Sequence, residues 1–127
     1  MENGQPPVDG EHRVSFRDGK LSGIEHYSDG QKSGSCEYWY HNGKKKAIGQ
    51  FSAGLFTGPW MWWRENGERL QEGNFEDGVQ VGWWKRWHDS GALMDEGEWV
   101  DGRRSGEWRH YDKDGQLVRT RKHPDRS

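Results

Sequence analysis

The sequence predicts an all-β chain in which tandem 24-residue β-hairpins follow one another as one elongated, curled antiparallel meander sheet. Three observations carry this. Glycines recur every 24 residues in four registers: at 19, 43, 67, 91 and 115, at 30, 54, 78 and 102, at 34, 58, 82 and 106, and at 49, 73 and 97. Only Gly4, Gly10 and Gly23 fall outside them. The aromatics keep the same period. Trp39, Trp63, Trp87 and Tyr111 form one register, and Trp60, Trp84 and Trp108 a second, with Cys36 in the equivalent place. Phe51, Phe75 and Trp99 form a third, led by Tyr27. Finally, a turn dipeptide stands at one point of each unit: Asp18-Gly19, Asn42-Gly43, Asn66-Gly67, Ser90-Gly91 and Asp114-Gly115. Glycine there permits φ > 0, and Asn or Asp tolerates it next best.

From the N-terminus, residues 1–12 are expected to be a disordered tail. The repeat domain is expected over residues 13–118 and holds four to five hairpins. Its first unit, VSFRDG, places Phe16 one residue nearer the turn than Trp39 is to Gly43, as suits a degraded terminal unit. In the units that follow, one aromatic segment precedes each turn and another follows it. Trp60 to Arg64 leads into Asn66-Gly67, and Arg69 to Phe75 leaves it. Ala53-Gly54, Asp77-Gly78 and Asp101-Gly102 mark the return between hairpins. Trp60 and Trp63 are an odd number of residues apart, as are Leu70 and Phe75, which sets each pair on opposite faces of a flat strand. Either both faces carry aromatics or a bulge resets the pleat. Gly49, Gly73 and Gly97 are where a bulge or sharp bend is expected, with rings from neighbouring repeats lying on the glycines. After Gly115 the pattern fades, and residues 119–127 are expected to be a disordered basic tail.

A chain of 127 residues fits one domain. Its hydrophobic share, 29%, would by itself suggest disorder, but nine Trp, four Tyr and four Phe supply surface to bury. The net charge of −2 leaves no electrostatic footprint for nucleic acid. A single cysteine, Cys36, excludes an intramolecular disulfide and a cysteine zinc cluster. The start, MENGQPPVDGEH, is too polar for a signal peptide, and no apolar run approaches the ~18 residues of a membrane span. A cytoplasmic protein is expected.

The stretch EGEWVDGRRSGEW, from Glu96 to Trp108, resembles the MORN repeat, and QEGNFEDGVQVGWW from Gln71 and AIGQFSAGLFTGPW from Ala47 resemble it too. The spacing and the hairpin turn are most similar to the MORN-variant repeats of bacterial YwqK-type antitoxin proteins. The resemblance spans most of the chain. It implies an elongated, curled sheet of hairpins and a role in protein interaction or scaffolding, with membrane-lipid binding as an alternative.

Nothing in the sequence points to catalysis, a metal or a cofactor. The six His make no ligand spacing such as HExxH and do not recur in the repeat frame. No GxSxG elbow and no GK[ST] phosphate loop is present. Cys36 reads as a small, partly buried hydrophobe. Basic clusters at Lys44-Lys45-Lys46, Lys85-Arg86 and Arg103-Arg104 form no stripe, so anionic-lipid binding rests on little.

In-frame aromatics are needed to stack one hairpin on the next. Partner-binding residues are therefore sought where large groups break the frame. Tyr38, Trp62, Arg86 and His110 align and differ, as do Ser35, Pro59, Trp83 and Glu107. With Trp63 and Trp87 from the dense mid-chain aromatic zone, the expected partner-binding set is Tyr38, Trp62, Trp63, Trp83, Arg86, Trp87 and His110. The expected ligand is a protein, in an antitoxin, immunity-like or scaffold setting. The chain is expected to be a monomer or an edge-paired homodimer.

Overall fold

The computed structural model describes residues 9–126; residues 1–8 of the expected N-terminal tail and Ser127 lie outside the described residues. The strands are β1 (Gly10–Ser15), β2 (Leu21–Ser28), β3 (Gln31–Lys32), β4 (Gly34–Trp39), β5 (Lys45–Ser52), β6 (Leu55–Trp63), β7 (Arg69–Glu76), β8 (Val79–Trp87), β9 (Leu93–Val100), β10 (Arg103–Tyr111) and β11 (Leu117–His123). They form one antiparallel sheet in the order β1-β2-β4-β5-β6-β7-β8-β9-β10-β11, with β3 paired to β2. The result is a meander of hairpins with β1 and β11 at its ends.

The sheet reaches beyond the expected bounds of 13 and 118. Gly10 to His12 belong to β1, and Arg119 to His123 belong to β11, which pairs with β10 as far as Gly106↔His123. Backbone groups of β10 need partners whatever the side chains of the next segment are. Those of β11 are nearly all exposed, and its Arg and Lys suit an edge strand.

Two kinds of turn alternate. At Tyr40–Lys44, Gly43 N donates to Tyr40 O (2.9 Å) and Tyr40 N to Lys44 O (2.8 Å). Here Gly43 alone takes positive φ (88°); Asn42 instead accepts from Lys44 N through Oδ1 at 2.9 Å. This is the three-residue loop with a glycine bulge. The same backbone bonds recur at Arg64–Glu68, His88–Ala92 and Asp112–Gln116. The return turns are tighter. Asp29-Gly30, Ala53-Gly54, Asp77-Gly78 and Asp101-Gly102 have positive φ at both residues, the two-residue hairpin turn.

The expected irregularity at Gly49, Gly73 and Gly97 is present, but the extra residues sit on the next strand. Ile48 pairs with Met61 and Gln50 with Thr57, so Gly49 faces the three residues 58–60. This bulge folds Trp60 over Gly49, and Trp84 and Trp108 likewise cover Gly73 and Gly97. The indole Nε1 atoms donate to Gln50 O (3.0 Å), Asn74 O (3.2 Å) and Glu98 O (3.2 Å). The three rings are only 2–3% exposed. In the first unit Cys36 stands in the Trp register and Glu25 in the Gly register. There the Tyr38 ring covers Gly23, and its hydroxyl donates to the buried Glu25.

Both margins of the ribbon are laced from one repeat to the next. Tyr40 Oη donates to Trp63 O (2.6 Å), Arg64 Nη2 to Trp87 O (2.8 Å), and His88 Nε2 bonds Tyr111 O (2.8 Å). Three unlike side chains do one job at one repeat position. On the other margin, the amides of Gly54, Gly78 and Gly102 donate to the carbonyls of Lys32, Phe56 and Gln80. Each hairpin thus holds its neighbour, the nearest-neighbour stability of a repeat protein.

Candidate functional site

Strand alternation gives the sheet two faces of different character. In β5, Ala47, Gly49 and Phe51 are buried, while Ile48, Gln50 and Ser52 are exposed. The first set belongs to a ring face, where Phe51, Phe56, Trp60, Trp62, Phe75 and Trp84 pack at centroid distances of 4.3–6.4 Å. The second set belongs to the opposite, grooved face.

One cross-strand row crosses the ring face through successive partners: Gly23, Tyr38, Ala47, Trp62, Gln71, Arg86, Asp95, His110, Arg119. Four expected site residues, Tyr38, Trp62, Arg86 and His110, fall in this row, and each is engaged within the fold. Tyr38 holds Glu25. Trp62 stacks on Trp60 (5.4 Å) and Trp84 (6.1 Å). Arg86 grips Asp95 with Nε at 3.0 Å from Oδ1 and Nη2 at 2.6 Å from Oδ2. Asp95 is 1% exposed, and His110 Nδ1 lies 3.8 Å from Oδ2 of the same carboxylate.

The other three, Trp63, Trp83 and Trp87, point to the opposite face, because each follows or precedes a ring-face residue in its strand. The expected mid-chain aromatic zone is therefore divided by the sheet. Trp87 is buried beneath the Arg69 guanidinium (4.5 Å), and Trp63 is met by Lys45 Nζ (5.9 Å). Trp83 is different: it is 50% exposed, and its indole donates to Glu96 at 3.3 Å. Beside it runs an open groove of about 520 Å³, lined by Ile48, Gln50, Pro59, Met61, Glu72 and Trp83 among others. Ile48, Pro59 and Met61 were not in the expected set. Pro59 shares the register of Trp83, and that was the available signal.

Electrostatics predict that the row is sensitive to acid. Burial pushes the His110 pKa below its usual value; Asp95 opposes this, while Arg119, Arg104 and Arg86 add to it. Protonation thus costs more in the folded chain than in the unfolded one. The unfolded chain binds the extra proton first, so stability rises with pH across the window below 6.5, the ordinary value, and is lost as pH falls through it. The melting temperature is expected to fall between pH 7.5 and 5.5, and His110→Asn is expected to flatten that slope. His123, shifted down for the same reason, contributes in the same direction.

The arrangement offers little for covalent chemistry. Burial raises the Cys36 thiol to about 11, which leaves almost no thiolate at neutral pH. Among the described residues no group of three or more His, Cys, Asp or Glu converges to hold a metal. What the geometry supplies is surface: a ribbon with a packed ring face and a groove on the other side.

Two stretches, residues 32–53 and 104–121, match the MORN repeat variant family. The first spans β3 to β5 and the second lies in the last hairpin, three repeat periods away. No curated protein is similar enough to match the chain.

Proposed function

We propose that this chain, with MORN-variant units towards both ends, is a non-enzymatic interaction module that holds a protein segment in the groove beside Trp83. The observation that supports this reading is the half exposure of Trp83 beside that groove. An indole with one wet face, set among Ile48 (37% exposed), Pro59 and Met61, is the kind of anchor that dominates interface energetics. The ring face uses its tryptophans to hold the hairpins together. An antitoxin, immunity-like or scaffold role would each use such a groove. Lipid binding is less well supported. Of the lysine triplet, Lys44 bonds Asn66 O (3.2 Å), Lys45 approaches Glu37 (3.6 Å) and Lys46 covers the Tyr40 ring (5.7 Å).

Trp83→Ala is expected to weaken binding of a partner recovered by affinity capture by about 2 kcal/mol, roughly 30-fold. It should change stability by no more than about 1 kcal/mol, as expected for a half-exposed side chain. Calorimetric titration beside thermal melts measures both. Unchanged affinity in the Trp83→Ala protein would remove the groove from the proposal. Flotation with anionic vesicles at low salt tests the lipid alternative separately.

A further inference from the structure

On the ring face, a second cavity of about 140 Å³ lies between the last repeats, lined by Gln71, Gln80, Arg86 and Arg104 with the rings of Trp84, Trp99 and Trp108. We infer that it is a pocket for a single carboxylate, such as an acidic side chain or a chain terminus presented by a peptide. The inference concerns the face opposite the Trp83 groove and does not depend on that groove's role.

The repeat frame shows how the pocket arises. Twenty-four residues earlier, the positions of Gln71, Gln80 and Arg86 hold Ala47, Phe56 and Trp62. There Phe56 stacks on Trp60 at 4.3 Å and meets Phe75 at 4.9 Å, and Trp62 stacks on Trp60 at 5.4 Å. Rings line a cavity there too, of about 340 Å³. In the next unit an amide and a guanidinium replace two of them, which sets donors around the cavity.

Two charges face the cavity. Arg86 spends Nε and Nη2 on Asp95, which leaves its Nη1 edge for another acceptor. Arg104 lies over Trp108 at 4.4 Å and Trp99 at 5.8 Å, and no carboxylate of the described residues pairs with it. The first repeat shows the complete version. Lys32, in the register of Arg104, carries its own acid, with Nζ 3.1 Å from buried Glu25. The residue in the register of Glu25 beside Arg104 is Gly97, covered by Trp108. The cation recurs without an internal carboxylate, and the cavity beside it has room for an external one.

Arg86 already faces Asp95, whose carboxylate opposes a second negative charge on the ligand, and the small cavity suits a planar monoanion. Walls of indole lower the local dielectric and strengthen each charged hydrogen bond.

The test titrates the full chain with capped glutamate (acetyl-glutamyl amide) and follows the indole N–H signals of Trp84, Trp99 and Trp108 by nuclear magnetic resonance. Capped glutamine serves as the neutral control and inorganic phosphate at pH 8 as the dianion. Saturable shifts are expected with capped glutamate and none with capped glutamine. Phosphate is expected to bind at least about tenfold more weakly. Arg104→Gln should weaken the capped glutamate response by about tenfold or more, the worth of one charged hydrogen bond, and Arg104→Lys should restore part of it. No saturable response to capped glutamate, tighter binding of phosphate, or undiminished binding by a folded Arg104→Gln protein would each overturn the assignment.

Discussion

Gly73→Ala is expected to destabilise the protein by about 3 kcal/mol, the upper part of the range for overpacking a filled site. The backbone at Gly73 is not in the left-handed region, so the cost does not come from φ. It comes from the indole of Trp84, because an added methyl group would fall within that ring. The ring is 2% exposed, and its Nε1 is tied to Asn74 O (3.2 Å) and Val81 O (3.1 Å), so it cannot swing aside without breaking both bonds. A thermal melt should drop on the order of 10 °C for a domain of this size. Gly43→Ala provides the contrast. Its methyl group meets nothing within 4 Å, but φ is 88°, so only the backbone term of about 1–2 kcal/mol applies. Equal losses at the two sites would contradict the account of Gly73 as a seat for a ring.

Trp84→Ala is expected to cost about 4 kcal/mol, within the range for emptying a buried aromatic site. Trp84 sits between Trp62 and Phe75 (6.1 and 5.1 Å) and closes the joint between the third and fourth hairpins. Its neighbour Trp83 should show the opposite profile, with little loss of stability. The two substitutions also test the seat directly. In a Trp84→Ala background, Gly73→Ala should cost almost nothing, because the clash is gone. Chemical denaturation of the two single variants and the double variant gives the coupling energy. Additive losses would mean that ring and glycine do not act together.

The same stacking alters what Trp62 can report. The residue breaks the repeat frame and so reads as a contact for a partner, yet it lies between Trp60 and Trp84. A loss of binding in Trp62→Ala would therefore be mixed with a loss of stability, whereas Trp83 separates the two. Arg86 and His110 likewise break the frame because they surround buried Asp95, an internal need the sequence does not display.

Much of the architecture is legible in the chain itself. Glycine and aromatic registers 24 residues apart are local signals, and they give hairpins, turns and a meander without reference to distant contacts. Other features depend on where strands meet. Ala53 is no obvious turn former, but it takes a φ of 50° because the return turn requires it. Tyr40, Arg64 and His88 share no chemistry in the sequence, and only their common reach to a carbonyl of the next repeat reveals their role. The segment RTRKH looks like a tail and pairs as a strand because β10 offers it an edge.

The sequence by itself determined the period, the hairpins and the pairing of rings with glycines, since each follows from short-range turn chemistry repeated in register. The tertiary structure decided which tryptophans are buried and which face solvent. The physical reason is parity. A bulge that places three residues opposite Gly49 turns Trp60 over it, and each neighbour along the strand then takes the other face. Trp83 and Trp84 are adjacent in the chain, and the sheet that passes between their side chains leaves one half-exposed beside the groove and makes the other the seal between repeats.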